Sequence, residues 1–253
     1  MLLCSCKTVA NGSKEELPEL KIGSDLYVSS GYIDESGNPK SIDIELATEA
    51  CKRLNMKPVF IDVPWFEKDE WLKEGKIDCI WGIFSMNGRE SKYLWAGPYM
   101  HSRQVTVVRG ESGIYKLSDL NGKIISAQAN TKPEEILLKR GNTRLPQPQE
   151  ILSFETLNLA FSAIQTGYSD AVVGHKIALK RYMDISHGNY RILDENLIST
   201  SLGVAFYKDG NKELAENMDE IIKNMITDGT VGDIVDKYTK GTAFEGEGEL
   251  INE

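Results

Sequence analysis

The residue pattern predicts an α/β protein of two lobes. Two observations carry that reading. Apolar strand-like segments alternate with amphipathic helical ones along the chain, and the alternation begins afresh near residue 110. The two blocks share no detectable identity, so the restart is architectural and not a sequence repeat. Each block is expected to carry its own sheet, and a cleft between two lobes is where small ligands commonly sit.

The first block opens with a short strand at 20–24, followed by a polar turn at 34–39 with Gly and Pro punctuation. Ile42, Leu46, Ala50 and Leu54 then recur every four residues, and Ala47 and Cys51 widen the stripe. That spacing predicts a helix capped by Ser41 and stopped by Pro58. A strand at 58–62, a short helix at 65–74 ended by Gly75, and an apolar run at 77–84 follow. The last reads as a strand buried on both faces of a parallel sheet. Residues 104–109 read as an extended link.

The second block has a strand at 123–127, a helix at 133–140, a Pro-containing loop at 146–148 and a helix at 154–166. In the latter, Ser153 is expected as cap, Gly167 as stop, and Leu157, Ala160, Phe161 and Ile164 as the apolar face. A strand at 170–173, a helix at 175–183, a strand at 202–207 and helices at 212–227 and 231–238 complete the pattern. Residues 241–253, acidic and Gly-rich, read as a flexible tail.

Composition bounds the function. The 253 residues carry 29 basic and 38 acidic side chains, a net charge of −9. That field repels phosphate backbones, and there is no basic patch to offset it, so nucleic acid is not expected as a partner. No apolar run reaches the length of a membrane span. Four cysteines do not make a disulfide scaffold, and Cys51 and Cys79 fall in apolar periodic segments as small hydrophobes. The start, Leu3-Cys4-Ser5-Cys6, is similar to the end of a bacterial lipoprotein signal, with Cys6 as the acylated residue and the polar stretch to residue 17 as a tether. The alternative is an ordinary cytosolic N-terminus.

Dinucleotide, phosphate-loop, nucleophile-elbow and zinc motifs are missing. His101, His175 and His187 lack ligand spacing, so neither a metal nor a cofactor is expected. One segment stands out. The apolar run ending at Phe84 leads into Ser85, and Arg89 follows four residues later. Ligands of α/β sheets bind beyond the carboxyl ends of strands, where a hydroxyl and a guanidinium could clamp a carboxylate. A helix-start serine and a surface arginine would read the same way.

From Leu20 to Gly241 the chain resembles the extracytoplasmic solute-binding proteins, family 3, of ABC transporters for polar amino acids. The resemblance rests on five stretches in order: Asp34-Glu35-Ser36-Gly37-Asn38 running into Ile42-Asp43-Ile44-Glu45-Leu46, Leu72-Lys73-Glu74-Gly75-Lys76-Ile77-Asp78, Arg89 with Gly97-Pro98-Tyr99, Leu117 to Lys123, and Thr227-Asp228-Gly229-Thr230 to Tyr238. It implies a type II periplasmic-binding-protein-like fold. Each lobe would be a mixed sheet flanked by helices, and two hinge crossings would join them near Val107-Val108 and Ser201-Leu202. Lobe one would span 18–107 with 203–241, and lobe two 108–202.

The resemblance also implies roles. Arg89 would pair with the ligand carboxylate and Ser85 would donate beside it. Ile83 would offer a backbone amide, Trp65 would stack on the ligand, and Thr131 would close from lobe two. Tyr27 stands one position early for the family's tyrosine. His175 falls where the family carries the acid that holds the ligand ammonium, and a neutral imidazole supplies no negative charge. The implied function is capture of an amino acid or related small carboxylate, by a monomer, for delivery to a membrane permease. An enzyme resembling cyclohexadienyl dehydratase, with His175 as general acid, is the alternative. The ectodomain of a sensory receptor ranks last.

Overall fold

The computed structural model describes residues 16–25, 32–33, 39–139 and 145–239. Cys6, the tether, Tyr27, the tip of the 34–39 turn and the acidic tail lie outside the described residues.

Strand β1 (Glu19–Ser24) buries Leu20 and Ile22. After a short hairpin, β2 (Tyr32–Ile33) and β3 (Pro39–Lys40), helix α1 (Ile42–Arg53) begins at Ser41, whose Oγ accepts the Ile44 amide at 3.2 Å. The expected stripe is the buried one: Ile42, Leu46, Ala47, Ala50 and Cys51 face the sheet. Strand β4 (Lys57–Asp62) pairs parallel with β1. A 3-10 turn at Trp65–Glu67 then leads into α2 (Lys68–Lys73).

The apolar run at 77–84 is only in part a strand. Cys79–Ile80, strand β5, joins the ladder beside β1, and the chain leaves it at Trp81. Beyond it the Trp81 amide still donates to the Gly23 carbonyl at 3.0 Å and the Phe84 carbonyl accepts the Gly203 amide at 3.1 Å, and both side chains are buried among aromatic neighbours.

Strand β6 (Tyr93–Arg109) has 17 residues, against the six expected at 104–109. Gly97-Pro98 would end an ordinary strand. Here the register against β11 (Ile198–Tyr207) jumps from Met100↔Leu202 to Ala96↔Val204, so a bulge absorbs the proline and pairing resumes beyond it.

In the second block β7 (Ile124–Gln128) is followed by α3 (Lys132–Leu138) and by β8 (Glu150–Phe154), a strand the apolar pattern did not reveal. Ser153 lies inside β8, and the cap of α4 (Leu157–Thr166) is Thr156, whose Oγ1 accepts the Leu159 amide at 3.3 Å. Gly167, with φ of 82°, stops that helix as expected. Strand β9 (Ala171–His175), α5 (Lys176–Ser186), the short β10 (Tyr190–Ile192), β11, α6 (Lys212–Thr227) and α7 (Thr230–Thr239) complete the chain.

The strand order is β4-β1-β5-β11-β6-β9-β7-β8, with β10 on β6. Two separate sheets were expected. The long β6 and β11 pass through both lobes, so a single ladder is continuous across them. The cores are separate nonetheless. Tyr93, Ala96, Tyr99 and Met100 of β6 pack with the β1 side of the molecule, while Val105, Val107 and Val108 pack with the β7 side. Helices cover both faces of the sheet on each side.

In the second core Phe161 is 1% exposed and sits between Tyr182 and Tyr190, with ring centroids 5.6 and 5.1 Å away. Replacing Phe161 by Ala should lower unfolding stability by about 3–5 kcal/mol in a urea titration. A loss below about 1 kcal/mol would contradict this packing.

Candidate functional site

The site is built where β5 ends. Ile83 adopts φ of 50°, a left-handed conformation that a β-branched residue rarely holds. Asp43, in the first turn of α1 and 4% exposed, holds it there. Its Oδ2 accepts the Ile83 amide at 3.2 Å and its Oδ1 accepts the Tyr99 hydroxyl at 2.6 Å. Burial pushes the Asp43 carboxyl up to about 6, against the pull of the hydrogen bonds from Tyr99 and Ile83.

Beyond this turn Ser85 bridges to Leu202, the Met86 amide donates to the Ser201 carbonyl at 2.9 Å, and the Arg89 amide donates to the Met86 carbonyl at 2.9 Å. Trp95 Nε1 donates to the Arg89 carbonyl at 3.1 Å. These bonds lay the Arg89 guanidinium over the Phe84 ring, 5.0 Å from its centroid, with the side chain 12% exposed.

The facing wall comes from the end of β7 and the start of α3. Asn130 is left-handed, with φ of 58°, and its amide donates to Glu134 Oε2 at 2.6 Å. Thr131 follows, and its Oγ1 donates to the Gln128 carbonyl at 2.6 Å. Three contacts draw the two walls together. Arg89 Nη2 lies 3.4 Å from Glu135 Oε2, Gln128 Nε2 donates to Asp25 Oδ2 at 2.9 Å, and Lys68 Nζ lies 3.5 Å from the Asn130 carbonyl. Lys68 is 3% exposed, and that burial lowers its ammonium to about 8.

His175, the last residue of β9, forms the floor. Its Nε2 lies 2.7 Å from Gln104 Nε2 and 3.4 Å from Ser85 Oγ, and its Nδ1 lies 3.3 Å from Ser102 Oγ. Burial, and then the nearby Arg89 charge, lower it to about 3. The imidazole is therefore neutral at every physiological pH.

Between the walls lies a narrow pocket lined by Trp65, Ile83, Ser85, Arg89, Thr131 and His175. Six of the eight residues singled out from sequence thus meet at one pocket; Tyr27 and Cys6 lie outside the described residues. Their hydrogen bonds differ from expectation in two places. The Ile83 amide is taken by Asp43 and does not face the pocket, because the carboxylate behind it is the stronger acceptor. The Thr131 hydroxyl proton is given to Gln128. Trp65 lines the wall, packed edge-on against Phe84 at 85°, and its indole N–H has no hydrogen-bond partner among the described residues.

Sequence reasoning missed Asp25, Gln128 and Lys132, which also line the pocket. Asp25 and Gln128 lie at the carboxyl ends of β1 and β7, so the strand-end rule that found Ser85 applies to them equally. Asp43 gave no comparable signal, since its role depends on a turn 40 residues away.

Asp43 titrates in a direction that can be tested. Its folded value lies above the unfolded value near 3.8, so the folded chain holds the extra proton between about 4 and 6. The stability it contributes is complete below about 4 and is lost as pH rises through 6. The stability of the wild type relative to Asp43→Asn should therefore fall, by on the order of 3 kcal/mol, between pH 4 and pH 7. A flat or rising difference in denaturant titrations would show that Asp43 is not buried as described.

Comparison with known proteins agrees with the geometry. Residues 20–241 match the profile of the bacterial extracellular solute-binding proteins, family 3. The chain is 27% identical over 231 residues to the histidine-binding periplasmic protein of Salmonella typhimurium, with 87% of each covered. It is 28% identical over 198 residues to the L-cystine-binding protein TcyA of Bacillus subtilis, covering 78% of this chain and 71% of that one. A crystal structure of Tv2483 bound to L-arginine superposes with a TM-score of 0.80 at 25% identity, covering 92% of this chain and 93% of the other. These relatives are binding proteins. Among the described residues no helix is long and apolar enough to cross a membrane. The match spans both lobes and the whole pocket, and the chain belongs to family 3 of the bacterial extracellular solute-binding proteins.

Proposed function

We propose that the protein is the extracytoplasmic receptor of an ABC uptake transporter and that it traps an amino acid or related small carboxylate between its lobes. The observation that carries this is the Arg89 guanidinium, nearly dry and set in a pocket whose walls come from both lobes. A desolvated guanidinium needs an anion, and its fork suits a carboxylate. Ser85 stands beside it, and Thr131 and Lys132 face it from α3. A ligand that touches both walls favours the closed form over the open one, and that difference in contacts is what drives closure.

The boundaries expected from sequence belong to the same reading: lobe one at 18–107 with 203–241, lobe two at 108–202. Packing supports a crossing on β6 between Met100 and Val105, slightly before Val107. The closed monomer presents both lobes to a membrane permease, and acylation at Cys6 would hold it at the outer face of the membrane. A binding role without turnover fits the floor of the pocket. His175, buried and lowered to about 3, is not a ready proton donor at neutral pH, which counts against the dehydratase-like reading.

A thermal-shift panel of the twenty amino acids and short carboxylates should give at least one compound that raises the melting temperature by several degrees. Arg89→Ala should weaken that compound about 100-fold by calorimetry. Unchanged affinity would remove Arg89 from the site, and conversion of the compound to a product would overturn the receptor reading.

A further inference from the structure

An α-amino acid carries its ammonium one carbon away from its carboxylate. A pocket that seats the carboxylate on Arg89 must therefore offer acceptors close by, and an acid serves best. Here that neighbourhood is filled by the His175 ring. Ser85 Oγ lies 3.4 Å from its Nε2 and Ser102 Oγ 3.3 Å from its Nδ1, and the fully buried Gln104 amide nitrogen lies against the ring, 2.7 Å from Nε2 and 3.2 Å from Nδ1. In either tautomer the single in-plane lone pair of the neutral ring faces a serine hydroxyl of the protein. Ser85 Oγ lies 3.4 Å from Gln104 Nε2 and can accept from it, which leaves the hydroxyl proton to give.

The other charged side chains beside Arg89 do not place an acid there. Lys132 is a buried cation. Glu135 is held at once by Lys132 at 3.0 Å, Lys139 at 2.7 Å and Arg89 at 3.4 Å. Asp25 is the one acidic residue lining the pocket among the described residues. Together with Trp65 it also lines the larger groove that opens outward between the lobes, so it stands at the mouth.

We infer that the pocket selects a carboxylate with no ammonium on the neighbouring carbon, and that His175 determines this by filling the place an ammonium would take. This rests on the receptor reading proposed above and names the class of its ligand.

The test is calorimetric titration of the wild type, His175→Asp and His175→Asn with three matched pairs. These are L-glutamine and glutaramate, L-arginine and 5-guanidinopentanoate, and L-histidine and 3-(imidazol-4-yl)propanoate. The wild type should bind the deaminated member of at least one pair about tenfold or more tightly than the amino acid. His175→Asp should shift that ratio towards the amino acid by about 10- to 100-fold, while the neutral His175→Asn should keep the wild-type preference.

An amino acid bound by the wild type as tightly as its deaminated partner overturns the inference, and so does an unchanged ratio in a folded His175→Asp. If that amino acid is then lost in Arg89→Ala, the receptor reading stands while the selectivity falls. Failure of all six compounds to bind the wild type also overturns the inference. The receptor reading is then judged separately, by mass spectrometry of whatever copurifies.

Discussion

A guanidinium kept almost out of water must have an anion, and Arg89 imposes that condition on everything around it. Its fork reaches across to Glu135 at 3.4 Å, a contact between the two lobes. An incoming carboxylate competes for the same charge. On the receptor reading proposed above, the cost of leaving Arg89 unpaired in a narrow cleft would couple occupancy to closure. The ring of Phe84 beneath the guanidinium and the Trp95 bond to the Arg89 carbonyl limit where that charge can go.

The protein holds strain at this spot. Ile83 stands in a backbone region that costs a β-branched residue of order 1–3 kcal/mol. Asp43 offsets the strain with a buried carboxylate that is itself uncomfortable, as its raised titration shows. Two unfavourable elements thus support each other: the carboxylate needs the Ile83 amide and the Tyr99 hydroxyl, and the turn needs the carboxylate. The result is a sharp exit from β5 that brings Ser85 to Leu202 and aims the following segment into the cleft. The α1 helix therefore serves the site from behind, through a residue that never reaches the ligand.

What could be read from the residues follows from what is local. The four-residue spacing of Ile42, Leu46 and Ala50, the Ser41 cap and the Gly167 stop are local facts, and the helices they describe are present. Strand β8 and the first half of β6 were invisible because their pairing depends on distant partners, and Gly97-Pro98 disguised β6 further. The pocket was legible in outline, since Ser85 and Arg89 follow a strand end in the usual way and the family pattern marked Trp65, Thr131 and His175. Which hydrogen each group donates, and to whom, was not. The Ile83 amide and the Thr131 hydroxyl are claimed by Asp43 and Gln128, partners set by tertiary contact.

The most direct measurement is a crystal structure of the protein purified with whatever ligand it retains. The two oxygens of a ligand carboxylate, each about 2.8 Å from one guanidinium nitrogen of Arg89, with the Ser85 hydroxyl beside them, are expected. A ligand bound elsewhere, with Arg89 still on Glu135 or turned to bulk water, would contradict the claim that this guanidinium is the anion trap.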